Sequence, residues 1–323
     1  MMKNCVWMVL FLAMTKQCFC WGFYAHRQVN YYAVFLLPPG MLGLYKKEIA
    51  FLSDHAVDPD KRRYAVPEEG PRHYIDLDRY GDHPFPDLPR SWEAACAKFG
   101  EDSLQRHGIA PWWILRMMQR LTKAFESGNR PQILKYSAEL GHYLSDIHVP
   151  LHACSNHNGQ FTGQQGIHGF WESRIPELFA ASSFDFLVGR AAYLADVPGF
   201  VWSRVLESAA ASDTVLRVER ELSARISPDR KFSFEFRNGS VVRQYAAGYS
   251  DQYHRMLKGM VERRMRQSVY AVASCWYTAW VNAGQPDLNG LSGEDFTASD
   301  RAEWESLQKA WMNDRLKGRS CDD

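Results

Sequence analysis

The chain has 323 residues, 46% hydrophobic and 23% charged, with a formal net charge of +1. That balance excludes an intrinsically disordered chain, and it provides no global basic field to attract nucleic acid. The length is enough to bury a full core, as one large domain or two small ones.

Residues 1–20 read MMKNCVWMVLFLAMTKQCFC. Lys3 precedes an apolar run from Val6 to Met14 that is too short to span a bilayer, and Cys18-Phe19-Cys20 gives a small-x-small cleavage pattern. The segment reads as a signal peptide cut before Trp21, which makes the mature protein exported: periplasmic, cell-surface or secreted. The competing reading is a buried first helix. Without Lys3 and Lys16 the chain holds 36 basic residues against 37 acidic ones. Cys96, Cys154, Cys275 and Cys321 remain. They are too few for a disulfide scaffold and lack C-x-x-C zinc spacing, although one or two disulfides are compatible with export.

Past that segment, apolar residues recur at spacings of three and four while period-two alternation is scarce. An all-α fold is therefore expected, as one helical domain over residues 21–287. Helices are predicted over about 26–37, stopped by Pro38-Pro39-Gly40, and over about 41–53. Residues 56–110, rich in Pro, Asp and Arg, read as a long irregular segment of the kind that carries function. Further helices are predicted over about 111–127, 132–148 and 171–181, as a pair between 199 and 226, and as the longest over 241–282. In the last of these, Met256, Met260, Val261, Met265, Val269, Val272, Trp276 and Trp280 make an apolar stripe that belongs to a core. Residues 288–323 form a polar C-terminal extension, with a helix over about 299–316.

The stretch GHYLSDIHVPLHACSNHNGQFTGQQGIHGFWES, from Gly141 to Ser173, holds five of the eleven histidines. His142 and Asp146 stand four apart on a predicted helix and so share one face. Pro150 disfavours helix at Val149, and the bend can return His152 toward that face. His168 and Glu172 repeat the four-residue spacing. Imidazole and carboxylate are the donors zinc accepts, and an incomplete protein set keeps a position for water. One such pair is usually an ordinary surface ion pair. Two pairs flanking a further histidine point to metal, with His148 and His157 left as packing or solvent residues. Upstream, HAVDPDKRR, RHYIDLD and WGFYAH carry the same residue types, and cleavage before Trp21 would free an α-amine able to ligate metal.

In that order, Trp-x4-His, a following Asp, His-aromatic-x-Asp, His-x3-Asp-x5-His and His-x3-Glu, the motifs resemble the superfamily of zinc-dependent phospholipase C and the single-strand-specific zinc nucleases. The resemblance runs from Trp21 to about Pro286. It implies a helical fold around a cleft with three zinc ions. One would be held by Asp58, His73, His142 and Asp146, with Asp54 and Asp60 as alternatives to Asp58. A second would be held by His152, His168 and Glu172. The third would take the amine and carbonyl of Trp21, His26 and the other oxygen of Asp146.

Phosphodiester cleavage builds negative charge, and clustered divalent ions neutralise it and acidify a water. Asp58 is in addition a candidate to orient or deprotonate that water. Lys61, Arg62 and Arg63 are candidates to grip the phosphate. Tyr74 and Asp76 occupy positions where the nucleases stack a base and bond its edge. Glu172 resembles the phospholipase branch, whereas Tyr24, Pro59 and Gly70 depart from its choline-binding pattern. The expected activity is therefore phospholipase C-type hydrolysis. A single-strand nuclease or 3'-nucleotidase is the alternative, and a non-catalytic zinc-binding protein the third.

Overall fold

A computed structural model of the chain describes residues 22–82, 85–237, 239–291, 295–313 and 317. Residues 1–20, where a signal peptide is expected, Trp21 and Cys321 lie outside them. The molecule is mostly helical, with one two-stranded sheet among the described residues. None of the helices found there is long and apolar enough to cross a membrane.

Three helices open the chain: α1 (Phe23–Val34), α2 (Pro39–Lys47) and α3 (Ile49–Asp54). Residues 56–110 are less irregular than their composition suggests. They hold the short α4 (Asp58–Arg62), a 3-10 stretch at Pro67–His73, and α5 (Trp92–Phe99) and α6 (Glu101–His107). The last two were hidden by shortness and by glycines at each end: Gly100 and Gly108 both have positive φ.

The core is built on α7 (Ala110–Glu126) and α8 (Arg130–Asp146). In α7 the buried Trp113, Met117, Leu121 and Ala124 alternate with exposed Arg116, Arg120 and Lys123 at helical spacing. Helix α8 starts where the Asn129 side chain accepts from the Gln132 N–H at 3.0 Å. Every residue from Ser137 to Asp146 is buried, so α8 runs through the centre of the molecule. It crosses α1 at Gly141, where an added Cβ would stand 1.9 Å from Asn30 Oδ1. Asn30 Nδ2 donates to Leu52 O and Ala138 O, tying α1, α3 and α8 together. The approach requires glycine.

After α9 (Ile167–Gly169), a π-turn at Phe170–Arg174 leads into α10 (Ile175–Ser183). One helix, α11 (Val197–Ser223), replaces the expected pair between 199 and 226, its start capped by the Asp196 side chain on Gly199 N–H. The expected long helix over 241–282 is divided. Its first residues fall in β2 (Ser240–Tyr245), which pairs with the preceding β1 (Phe232–Arg237), Phe236 opposite Val241. Then come α12 (Ala247–Met256) and α13 (Met260–Asn282), separated by Lys258 and Gly259 in the left-handed region. The Phe-Ser-Phe-Glu-Phe-Arg alternation of β1 is the period-two pattern of a strand. Trp276 of α13 donates to Ser137 O at 3.0 Å and so joins the apolar stripe to α8. The chain closes with α14 (Ala298–Met312), held by a Thr297–Asp300 capping box. No disulfide joins Cys96, Cys154 and Cys275 to one another.

Candidate metal centre

Five elements converge at the buried C-terminal half of α8. His142 and Asp146, one helical turn apart, are both fully buried. His142 Nδ1 donates to Ala56 O at 2.8 Å, which turns its Nε2 inward, 3.0 Å from His73 Nδ1 and 3.2 Å from Asp146 Oδ2. His73 Nδ1 is also 3.0 Å from Asp146 Oδ2, while its Nε2 faces Glu69 Oε1 at 3.5 Å. From α1, His26 stacks on His142 and reaches the other carboxylate oxygen, Asp146 Oδ1, at 3.5 Å. The two oxygens of Asp146 therefore look to different histidines.

The acid that α4 contributes is Asp60, not Asp58. Asp60 Oδ1 lies 3.8 Å from both His73 Nδ1 and His142 Nε2, and Oδ2 lies 3.9 Å from His26 Nε2. Asp58 turns away to His55 Nδ1 at 2.6 Å and Lys61 Nζ at 3.3 Å. Two residues along a helix are about 200° apart, so only one of the two acids can face inward. Spacing to His73 alone cannot choose between them.

Pro150 does end α8, and a 3-10 turn over Pro150–Ala153 brings His152 back. Its Nδ1 donates to His73 O at 2.6 Å. His168 Nδ1 donates to His157 O at 3.2 Å. A carbonyl only accepts, so each ring's proton sits on Nδ1 and each Nε2 presents a lone pair. These lone pairs are 3.0 Å apart, and Glu172 Oε2 is 3.1 Å from His168 Nε2 and 3.4 Å from His152 Nε2. Three acceptors thus meet in a buried space. Donors placed tetrahedrally around zinc at 2.0–2.1 Å stand roughly 3.3 Å apart, so the spacing suits one ion. Three groups could hold a metal ion: His26, His142 and Asp146; Asp60, His73 and His142; and His152, His168 and Glu172. Trp21 is outside the described residues. Its neighbour Gly22 lies against the residue after Glu172, since an added Cβ would stand 2.7 Å from Ser173 Oγ.

Electrostatics match this crowding. Burial pushes the Asp60 carboxyl well above the ordinary range; His73 and Arg63 oppose the shift and Asp146 adds to it. Burial acts on Asp146 in the same way but is outweighed by His142 and His152, and its carboxyl is held well below that range. Burial, reinforced by His142, pushes His26 well down. Strongly shifted buried groups of this kind cluster at functional sites and also occur in structural ion-pair networks.

Around the ligand candidates runs a layer the sequence did not disclose. Glu69 is fully buried, takes hydrogen bonds from Tyr143 Oη and from Arg72 at 2.5 Å, and stands behind His73, 3.5 Å from its Nε2. Carboxylates behind histidines fix the ring's tautomer in this way. The Glu69-x3-His73 spacing was its available signal. Arg62 is not placed to grip a phosphate: it is committed to Glu139 at 2.5 Å and to Glu69 at 3.5 Å. Lys61 is held by Asp58, and Arg63 lies 3.9 Å from Asp60. His148 packs away from the centre, donating to Leu144 O.

Beside the centre is a cavity of about 300 Å³ lined by Asp76, Arg79, Arg106, His107, His157 and Phe161, among others. His157 links the two places, its ring on the cavity and its carbonyl on His168. Asp76 thus lies where a substrate could meet it, 3.7 Å from His107 Nδ1. Tyr74 does not line the cavity; its hydroxyl donates to Arg106 O at 3.3 Å. The arginines and His107 were missed because they lie in the segment that reads as irregular. No protein-family model matches the chain, and no curated protein matches it.

Proposed function

We propose that this chain is a zinc-dependent hydrolase of phosphodiesters, of phospholipase C type, on the scaffold its motifs resemble. One observation carries the reading: His152, His168 and Glu172 converge with both imidazole protons committed to backbone carbonyls, a set of ligand atoms that suits a cation. Asp60, His73, His142 and Asp146 would hold a second zinc, and His26 with Asp146 and the amine and carbonyl of Trp21 a third. Bound there, zinc would supply Lewis acidity toward phosphoryl oxygens and lower the pKa of a water toward neutrality.

The remaining work belongs to the chain. Ala56 O, His73 O and His157 O accept the ring protons of His142, His152 and His168, and Glu69 faces His73 Nε2 at 3.5 Å. Arg79 and Arg106 offer guanidinium forks to an anionic group entering the cavity. Asp58 leaves the set of ligands and bases in favour of Asp60.

The second reading, a single-strand nuclease or 3'-nucleotidase, is favoured by that cavity, whose polar rim of Asp76 and His107 beside Phe161 suits a heterocyclic base. Side-by-side hydrolysis of a phospholipid panel, single-stranded DNA and 3'-nucleotides by zinc-loaded protein starting at Trp21 separates the two. A protein that holds zinc and cleaves none of these is the non-catalytic zinc binder instead.

A further inference from the structure

Helix α14 lies far from the centre in sequence, yet it is packed on the segment that delivers Asp60. Trp304 packs against His55 with the rings tilted by 51° and their centroids 4.3 Å apart, and His55 is the residue bonded to Asp58. Glu303 bonds Lys135 of α8 at 2.8 Å and lies 3.9 Å from Arg62. Past the helix, Lys317 N–H donates to Arg63 O at 3.0 Å, and Lys317 Nζ donates to Ala65 O at 3.1 Å. At the other end of the same face, Trp311 packs on Phe23 at 5.2 Å, three residues before His26. Trp304, Leu307 and Trp311 recur at three and four residues, so a single stripe of α14 makes these apolar contacts.

The pattern is selective. α4 is only five residues long, too short to hold its own conformation in water. Asp60 sits in its middle, and contacts from α14 and Lys317 fall on both sides of it, at His55, Arg62, Arg63 and Ala65. The contacts of α14 named above lie on α1, α4 and α8 and their flanks; the loop bearing His152, His168 and Glu172 is not among them.

We infer that the C-terminal helix is a clasp that positions Asp60 and His26, and so sets metal affinity in that half of the centre while leaving the His152–His168–Glu172 half alone. The inference rests on the metal-centre reading above. Trp304 and Glu303 are positioning residues: they act through His55 and Arg62 and touch no ligand atom.

The test measures zinc release to a chromophoric chelator by the full mature chain, by Trp304→Ala, by Trp304→Phe and by Glu303→Ala. Trp304→Ala is expected to bind at least one zinc about tenfold less tightly, the scale seen when groups behind a ligand are removed. Trp304→Phe should restore the affinity by keeping a ring on His55. At least one zinc should be released as in the parent in all variants, and unchanged far-UV circular dichroism identifies a folded protein. Glu303→Ala, at a half-exposed position, supplies the same comparison should Trp304→Ala unfold, with a smaller weakening expected. Folded Trp304→Ala or Glu303→Ala protein that releases every zinc as the parent does overturns the clasp. A parent chain that binds no zinc overturns the metal-centre reading itself, and the clasp with it.

Discussion

Replacing Asp60 and Asp58 one at a time by asparagine separates the two acids that sequence spacing could not. The Asp60 carboxylate lies within 3.8–3.9 Å of three imidazole nitrogens. Unit charges about 4 Å apart interact by about 4 kcal/mol at an effective dielectric near 20, and a divalent ion among those nitrogens would feel more. An amide keeps the oxygen and loses the charge, so Asp60→Asn should weaken the ion it faces by at least ~4 kcal/mol, about a thousandfold. Asp58→Asn removes an ionic partner from His55 and Lys61 and should cost about 1 kcal/mol of stability with zinc content unchanged. Zinc per chain after desalting, with chelator competition, reads the first effect, and urea unfolding reads the second. If Asp58→Asn loses zinc and Asp60→Asn keeps it, the placement of α4 is refuted.

His168→Ala should lower zinc by close to one ion per chain by elemental analysis and abolish hydrolysis, whereas His148→Gln should keep both. Gly141→Ala should cost about 2–4 kcal/mol in urea unfolding, since the new Cβ meets Asn30 Oδ1 and displaces its two hydrogen bonds. Arg106→Ala should raise KM several-fold with kcat nearly unchanged, and an unchanged KM would remove this arginine from substrate binding. Glu219 titrates the fold outside the centre. Burial raises its pKa, but the hydrogen bonds of Lys231, Gln164 and Tyr249 outweigh it and hold the carboxyl below its ordinary range. Its contribution is present above the unfolded pKa and lost as pH falls through the folded one. The stability gap between parent and Glu219→Gln should therefore be full near neutrality, about 1.5–3 kcal/mol, and close below about pH 4.5 in pH-dependent urea melts.

Patterns confined to one element were legible in the sequence. His142 with Asp146 and His168 with Glu172 follow from helical periodicity, and the return of His152 follows from Pro150. Choices made by packing were not. Asp58 and Asp60 are equally plausible as letters, and the rotation of a five-residue helix pinned from outside decides between them. Arg62 reads as an exposed cation until Glu139, 77 residues away, takes it. The first strand of the hairpin was visible in the alternation of Phe232–Arg237, but the second, from Val241, was read into the long helix that continues in α13. Glu69, Arg79, Arg106 and His107 belong to short turns and helices whose periodicity is too brief to register.

His73 gives its ring to one half of the centre and its backbone carbonyl to the other, where that oxygen fixes the His152 ring. Any tilt of the peptide at position 73 reorients a donor in each half at once. A substitution that shifts this peptide would therefore disturb both halves, whereas one in the C-terminal helix reaches only the half that holds Asp60 and His26.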